Sequence, residues 1–169
     1  MIEETARETQ IVEFKPLKDI GRLPLNETSE LRFYVDEFKG YPFGSIRTFV
    51  KRDSYAGPTK AGVTLKGAVL DGVIATVEKL PKEPETTEDV ELARFQKKPG
   101  VELVARVNIY RDTTGLDLRE WVDDGDYKGW TKKGIRINYP DIVKTLGFLK
   151  EMRAFLAARS EPKKPAKAA

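Results

Sequence analysis

Residues 30–65, ELRFYVDEFKGYPFGSIRTFVKRDSYAGPTKAGVTL, lie without a gap over residues 102–137, ELVARVNIYRDTTGLDLREWVDDGDYKGWTKKGIRI, a shift of 72 positions that carries on to Leu80 over Met152. Identical pairs are Glu30/Glu102, Leu31/Leu103, Val35/Val107, Arg47/Arg119, Val50/Val122, Tyr55/Tyr127, Gly57/Gly129, Thr59/Thr131, Lys60/Lys132 and Gly62/Gly134. Glycine and tyrosine positions match as well as apolar ones, so the register is more than two amphipathic stretches in chance phase. An internal repeat decides the fold before any single element does.

Each copy changes period once. Leu31, Phe33 and Val35 alternate, as do Leu103, Ala105, Val107 and Ile109, the pattern of a half-buried antiparallel strand. A turn is expected at Gly40–Gly44, a second strand at Ser45–Lys51, a third near Tyr55 or Tyr127, a loop at Gly57–Gly62 and a short fourth strand at Val63–Lys66. Val69, Leu70, Val73, Ile74, Val77 and Leu80 then form a helical stripe, as do Ile142, Val143, Leu146, Leu149, Met152 and Phe155. Asn138 and Pro140 stand where a helix begins. The expected fold is α+β, two β-β-β-β-α units, each an antiparallel sheet followed by a helix. The helices, Ala68–Leu80 and Pro140–Ala158, are expected to pack together as an intramolecular pseudo-dimer and so bury the stripes that neither unit can bury alone.

The division read from the chain is an N-terminal extension (1–29), repeat 1 (30–80), a linker (81–100), repeat 2 (101–158) and a disordered basic tail (159–169). Ile11-Val12-Glu13-Phe14 reads as an extra strand of unknown place, and Thr87 as the cap of a short helix running to Phe95. The tail has too few apolar residues to fold.

The chain has 169 residues with 30 Lys+Arg, 27 Asp+Glu, a net charge of +3, and neither histidine nor cysteine. Zinc or iron–sulfur sites of the usual kind, Cys nucleophiles, Ser–His relays and disulfides are thereby excluded. A mild cationic excess suits a nucleic-acid partner only where the cations cluster. No apolar run approaches the roughly 18–20 residues of a membrane helix. The first ten residues lack the apolar core of a signal peptide. An intracellular protein without cofactor or metal is expected, cytoplasmic or nuclear according to its source. Asn26-Glu27-Thr28 reads as a loop.

One helix covers one sheet face, and the other face must meet something. Opposite the core parity lie Arg32, Tyr34 and Phe38 on the first strand and Arg47, Phe49 and Lys51 on the second. Their counterparts are Arg106, Tyr110, Arg119 and Trp121. Arg or Lys two residues from an aromatic on one strand face is what single-stranded nucleic acid uses, rings for bases and cations for phosphates. Lys60, Lys128, Trp130, Lys132 and Lys133 extend the pattern. Thr48 and Glu120 break the parity on the core side, which a bulge or a strongly curved sheet would explain, though the sequence itself shows neither.

At these residues the chain resembles the positive cofactor four family of single-stranded-DNA-binding transcriptional coactivators. The resemblance is carried by Glu37-Phe38-Lys39-Gly40, Ile46-Arg47-Thr48-Phe49-Val50 and Gly57–Leu65 in the first unit. In the second it is carried by Leu118-Arg119-Glu120-Trp121-Val122 and Trp130–Ile137. It implies curved sheets paired through their helices and gripping antiparallel single strands. Phe38 or Tyr110 would stack on bases, with Lys39, Arg47, Lys60, Arg111, Arg119, Lys132 and Lys133 facing phosphates. Val50 and Val122 replace the family's strand tryptophan, Ala61 replaces a lysine, and the second unit's turn (Asp123, Asp124, Asp126) is acidic, so unequal binders are expected.

The function expected is sequence-independent single-stranded DNA binding in transcription, replication or repair. RNA binding on the same surface, or a protein-interaction module meeting transcription or replication machinery, are the alternatives, and a further homodimer is open. A Mg²⁺ nuclease built on Asp123, Asp124 and Asp126 is disfavoured, since acidic surface turns are ordinarily solvated.

Overall fold

The computed structural model describes residues 8–85 and 87–159; residues 1–7 and most of the expected basic tail, 160–169, lie outside the described residues. Sheet A holds β1 (Gln10–Ile11), β2 (Lys18–Asn26), β3 (Ser29–Phe38), β4 (Tyr41–Lys51) and β5 (Tyr55–Leu65) in the order β1-β5-β4-β3-β2. Helix α1 (Gly67–Glu78) follows. Sheet B holds β6 (Val90–Lys98), β7 (Val101–Tyr110), β8 (Thr113–Asp123) and β9 (Lys128–Asn138) in sequence order. A 3-10 turn at Tyr139–Asp141, with Pro140 inside it, leads into α2 (Ile142–Arg159). The architecture is the expected α+β pair of antiparallel-rich sheets, each followed by a helix.

The strands differ in place from the sequence reading. The expected loop at Gly57–Gly62 is the middle of one continuous strand, β5, and its counterpart is β9. The true fourth strands lie upstream, as β2 in the stretch read as an N-terminal extension and β6 in the stretch read as a linker. No helix starts at Thr87; Val90–Lys98 pairs antiparallel with β7 instead. Pro99 and Gly100 alone make the β6–β7 connection, with Gly100 at φ 79, the positive value that the position after proline in a type II turn demands. The turn expected at Gly40–Gly44 is tighter. Only Lys39 and Gly40 separate β3 from β4, both at positive φ, and Arg111 and Asp112 do the same between β7 and β8. This is the type I′ geometry that suits the twist of a hairpin.

The repeat's identical residues build one device. Register slips between Arg47 and Phe49, and between Arg119 and Trp121, so both units carry the bulge. Thr59 Oγ1 donates to the Thr48 carbonyl at 2.9 Å and Thr131 Oγ1 to the Glu120 carbonyl at 3.2 Å, fastening each bulge. Arg47 lies across Gly62 and Arg119 across Gly134, where an added Cβ would meet the guanidinium carbon at 2.8 and 2.6 Å. Tyr55 Oη donates to the Pro58 carbonyl and Tyr127 Oη to the Trp130 carbonyl.

The helices are exchanged. The apolar stripe of α1 (Leu70, Val73, Ile74, Val77) packs on β6 and β7 of sheet B, with the Phe95 ring against Gly72. Helix α2 packs on β2, β3 and β4 of sheet A, with Phe148 against Gly21 and Phe33 and Met152 against Gly44. The helices also touch each other, so one core joins both units. At about 1.5–3 kcal/mol for each fully buried aliphatic side chain, neither helix has comparable burial within its own unit. The sheets meet along β5 and β9. There Lys97 Nζ donates to both Thr64 Oγ1 and Glu120 Oε2 at 2.9 Å, which gives Glu120, on the core side of its strand, a partner. No helix among the described residues is long and apolar enough to cross a membrane.

Candidate nucleic-acid interface

The face of sheet B turned away from the helices carries an aromatic–guanidinium cluster. Trp121 and Trp130 are cross-strand partners on β8 and β9, with ring centroids 4.9 Å apart, edge to face. The Arg106 guanidinium lies 4.5 Å from the Trp130 centroid and that of Arg94 5.5 Å from Trp121. Both indoles are half-buried, which leaves ring surface to a ligand. Asp117, only 2% exposed, accepts from Arg106 Nε at 3.1 Å and from Arg119 Nη2 at 3.2 Å. It orients both arginines and neutralises part of their charge. Glu91 and Glu102 hold Arg94 and raise its already high pKa, chiefly through the Glu91 hydrogen bond. Arg136 is held instead by neutral groups, Asn108, Thr113 and Asn138.

Sheet A's corresponding face is closed. Phe49 (5% exposed) and Tyr34 (7%) are covered by Phe14, whose ring centroid is 5.1 Å from each. Arg32 sits 4.7 Å from the Phe14 ring and 4.2 Å from the Phe49 ring. Phe49 is therefore no exposed stacking platform, a correction whose cause lies in the N-terminal segment and not in the strand. That segment is tied down by β1, parallel to β5, and by Val12 N–H donating to the Ala56 carbonyl at 2.8 Å. The extra strand expected around Ile11–Phe14 is thus β1, shorter and one residue earlier.

The remaining predicted residues fall in two other places. Phe38 (66% exposed) and Tyr110 (58%) stand at the tips of the β3–β4 and β7–β8 hairpins, with Lys39 and Arg111 resting on their own neighbours' rings at 5.3 and 5.2 Å. Arg47, Lys60, Lys132 and Lys133 gather at the seam between the sheets. They line a cleft of about 490 Å³ shared with Thr64 and Glu120. Arg47 Nη1 donates to the Thr59 carbonyl and has no acidic partner among the described residues, unlike Arg119. Lys51 and Lys128 are exposed at strand ends, Lys128 across from Asp123.

Sequence reasoning missed Arg94, Asp117 and Phe14. Arg94 was legible, because Arg22/Arg94 is one more identical pair at the same shift. Asp117 shares the parity of Arg119 on β8, two residues away. Phe14 left no periodic signal. In the acidic turn, Asp124 Oδ1 accepts the backbone N–H groups of Asp126 and Tyr127 at 3.0 and 2.8 Å, so this carboxylate shapes the turn. Among the described residues no group of three or more Asp or Glu is placed to hold a metal ion.

No protein-family model matches the chain and no curated protein matches it, so the resemblance to the positive cofactor four family rests on the motifs alone. A solved structure described as that of the plant transcriptional regulator PBF-2 is similar at 10% identity and a TM-score of 0.43, covering 86% of this chain and 87% of that one.

Proposed function

We propose that this chain is a binding protein, not an enzyme, which holds single-stranded nucleic acid, DNA foremost, without sequence preference, in transcription, replication or repair. The observation that carries the reading is the Trp121–Trp130 pair with Arg94 and Arg106 laid on its rings, on the sheet face away from the helices. A base has a π-face whatever its identity, so stacking tolerates any sequence, at about 1–3 kcal/mol per base. As a base takes the place of a guanidinium on the ring, the arginine turns to the adjacent phosphate. Asp117 holds Arg106 and Arg119 at one point and neutralises part of their charge. From the tryptophans the strand continues along β9 to the cations of the seam, Lys132, Lys133, Lys60 and Arg47, which carry the backbone towards sheet A.

The test is a salt series of anisotropy titrations with single-stranded DNA, duplex DNA and RNA of equal length. Single-strand affinity should fall with salt at about −0.7 in log–log slope per neutralised phosphate, and exceed duplex affinity throughout. Absence of single-strand binding at low salt refutes the reading. Tighter binding of RNA than of DNA moves the assignment to RNA on the same surface.

A further inference from the structure

We propose, resting on the single-strand reading above, that the outer face of sheet A is a second single-strand site which the chain holds closed with its own Phe14. The face is built for a ring. Arg22 and Arg32 approach the Phe14 ring at 5.7 and 4.7 Å, while Tyr34 and Phe49 meet it edge-on at 5.1 Å. Phe14 thus sits among two rings and two guanidinium groups, the surroundings an unstacked base would take. Glu30 accepts from Arg32 Nε at 2.7 Å and from Arg22 Nη1 at 3.3 Å, and Asp19 accepts from Arg22 Nη2 at 3.2 Å, so carboxylates hold both guanidinium groups at this face as Glu91 and Glu102 hold Arg94 on sheet B.

The cover is lightly held. Among the described residues its hydrogen bonds to the sheet are those of the two-residue β1, with Gln10 N–H to the Ser54 carbonyl at 3.2 Å and Val12 N–H to the Ala56 carbonyl, and that of Thr9 Oγ1 to the Asp53 carbonyl, beside the packing of Val12 on Gly57. Ile11 is 73% exposed and contributes little burial. A crevice of about 270 Å³ remains between Val12 and the sheet, reaching Arg32, Phe49 and Lys51. Segments with so few buried contacts open at low cost. A strand first captured by Trp121 and Trp130 is tethered to the molecule. Its free end reaches sheet A at high effective concentration and competes with Phe14 there.

The experiment counts sites. An oligothymidylate short enough to occupy one face should saturate the wild-type chain at one per chain, Phe14→Ala at two, and Phe14→Ala with Trp121→Ala at one. If Phe14→Ala still saturates at one with wild-type affinity, or the wild-type chain already takes two, the closed site does not exist, while the single-strand reading stands. If neither protein binds, the single-strand reading itself falls, and this inference with it. A second measurement needs no variant. Hydrogen exchange at the Gln10 and Val12 amides of the wild-type chain should quicken when a long single strand saturates it. Unchanged or slower exchange there overturns the proposal.

Discussion

Replacing Trp121 and Trp130 together by Ala removes the stacking platform on sheet B and little else. The two rings touch each other and two guanidinium groups, and neither belongs to the core that joins the units. Stacking is worth about 1–3 kcal/mol per base. Each bound base displaces a guanidinium contact of about 0.5–1 kcal/mol, which the free wild-type protein keeps and the variant lacks. The net loss is then about 0.5–2 kcal/mol per ring, so the double variant should bind single strands about 5-fold to several hundred-fold more weakly. The fold should survive, since the edge-to-face pair itself is worth only about 0.5–1.5 kcal/mol. The assay has an internal reporter, because these are the chain's only two tryptophans. Wild-type indole emission must change as bases stack, and its midpoint must match the anisotropy titration. Tight binding with unchanged emission, or an unchanged Kd in a folded double variant, refutes stacking at this face.

Asp117→Asn frees Arg106 and Arg119 from their shared anion; single-strand affinity should rise and the salt slope steepen, while thermal stability falls. Equal or weaker affinity would mean that Asp117 positions the arginines more than it neutralises them. Lys97→Met strands the Glu120 carboxylate at the seam, where breaking a buried pair costs about 3–5 kcal/mol and partial exposure trims that figure, so denaturant melts should show a clear loss. Residues 8–85 expressed alone should be unfolded or dimeric, because the partner of α1 is sheet B; a folded monomer by sedimentation contradicts the exchange of helices. Burial, then Glu85 and Glu83, push the Tyr139 phenol above its ordinary range. The stability linked to its proton is therefore fully present below the unfolded phenol's pKa of about 10 and is lost as pH rises through the folded value, which alkaline melts of Tyr139→Phe against wild type will show.

The repeat was legible because the chain conserves, between its own halves, the residues that make the bulge: an arginine over a glycine, a threonine bridging the slip, a tyrosine closing the strand start. Such positions allow few residue types. The broken parity at Thr48 and Glu120 left a bulge and a strongly curved sheet equally open, and the register shifts decide for the bulge. The first strands, β2 and β6, drifted further, with Pro24 opposite Gln96 and Leu25 opposite Lys97. Yet Asp19/Glu91, Ile20/Leu92, Arg22/Arg94 and Leu23/Phe95 keep their chemistry, and extending the shift upstream would have exposed them. Reading Lys-Lys-Pro-Gly as the end of a linker, not as a hairpin turn, hid β6. Which sheet a helix covers could not be read at all, since a 3.6-residue stripe says that a face is buried and not by what. Phe14 is hidden for a related reason: a single ring docking on a distant face has no period.

Carrying both units in one chain has a consequence for direction. Two identical faces related by a twofold axis accept a strand equally from either end. Here one face presents two tryptophans and the other a phenylalanine-capped arginine pair, and the symmetry is broken within a single molecule. A strand laid across both meets them in an order that depends on whether it runs 5′ to 3′ or the reverse. On the proposed single-strand reading, the fused pair would distinguish the polarity of a strand that spans both faces, which a symmetric dimer of one unit would not.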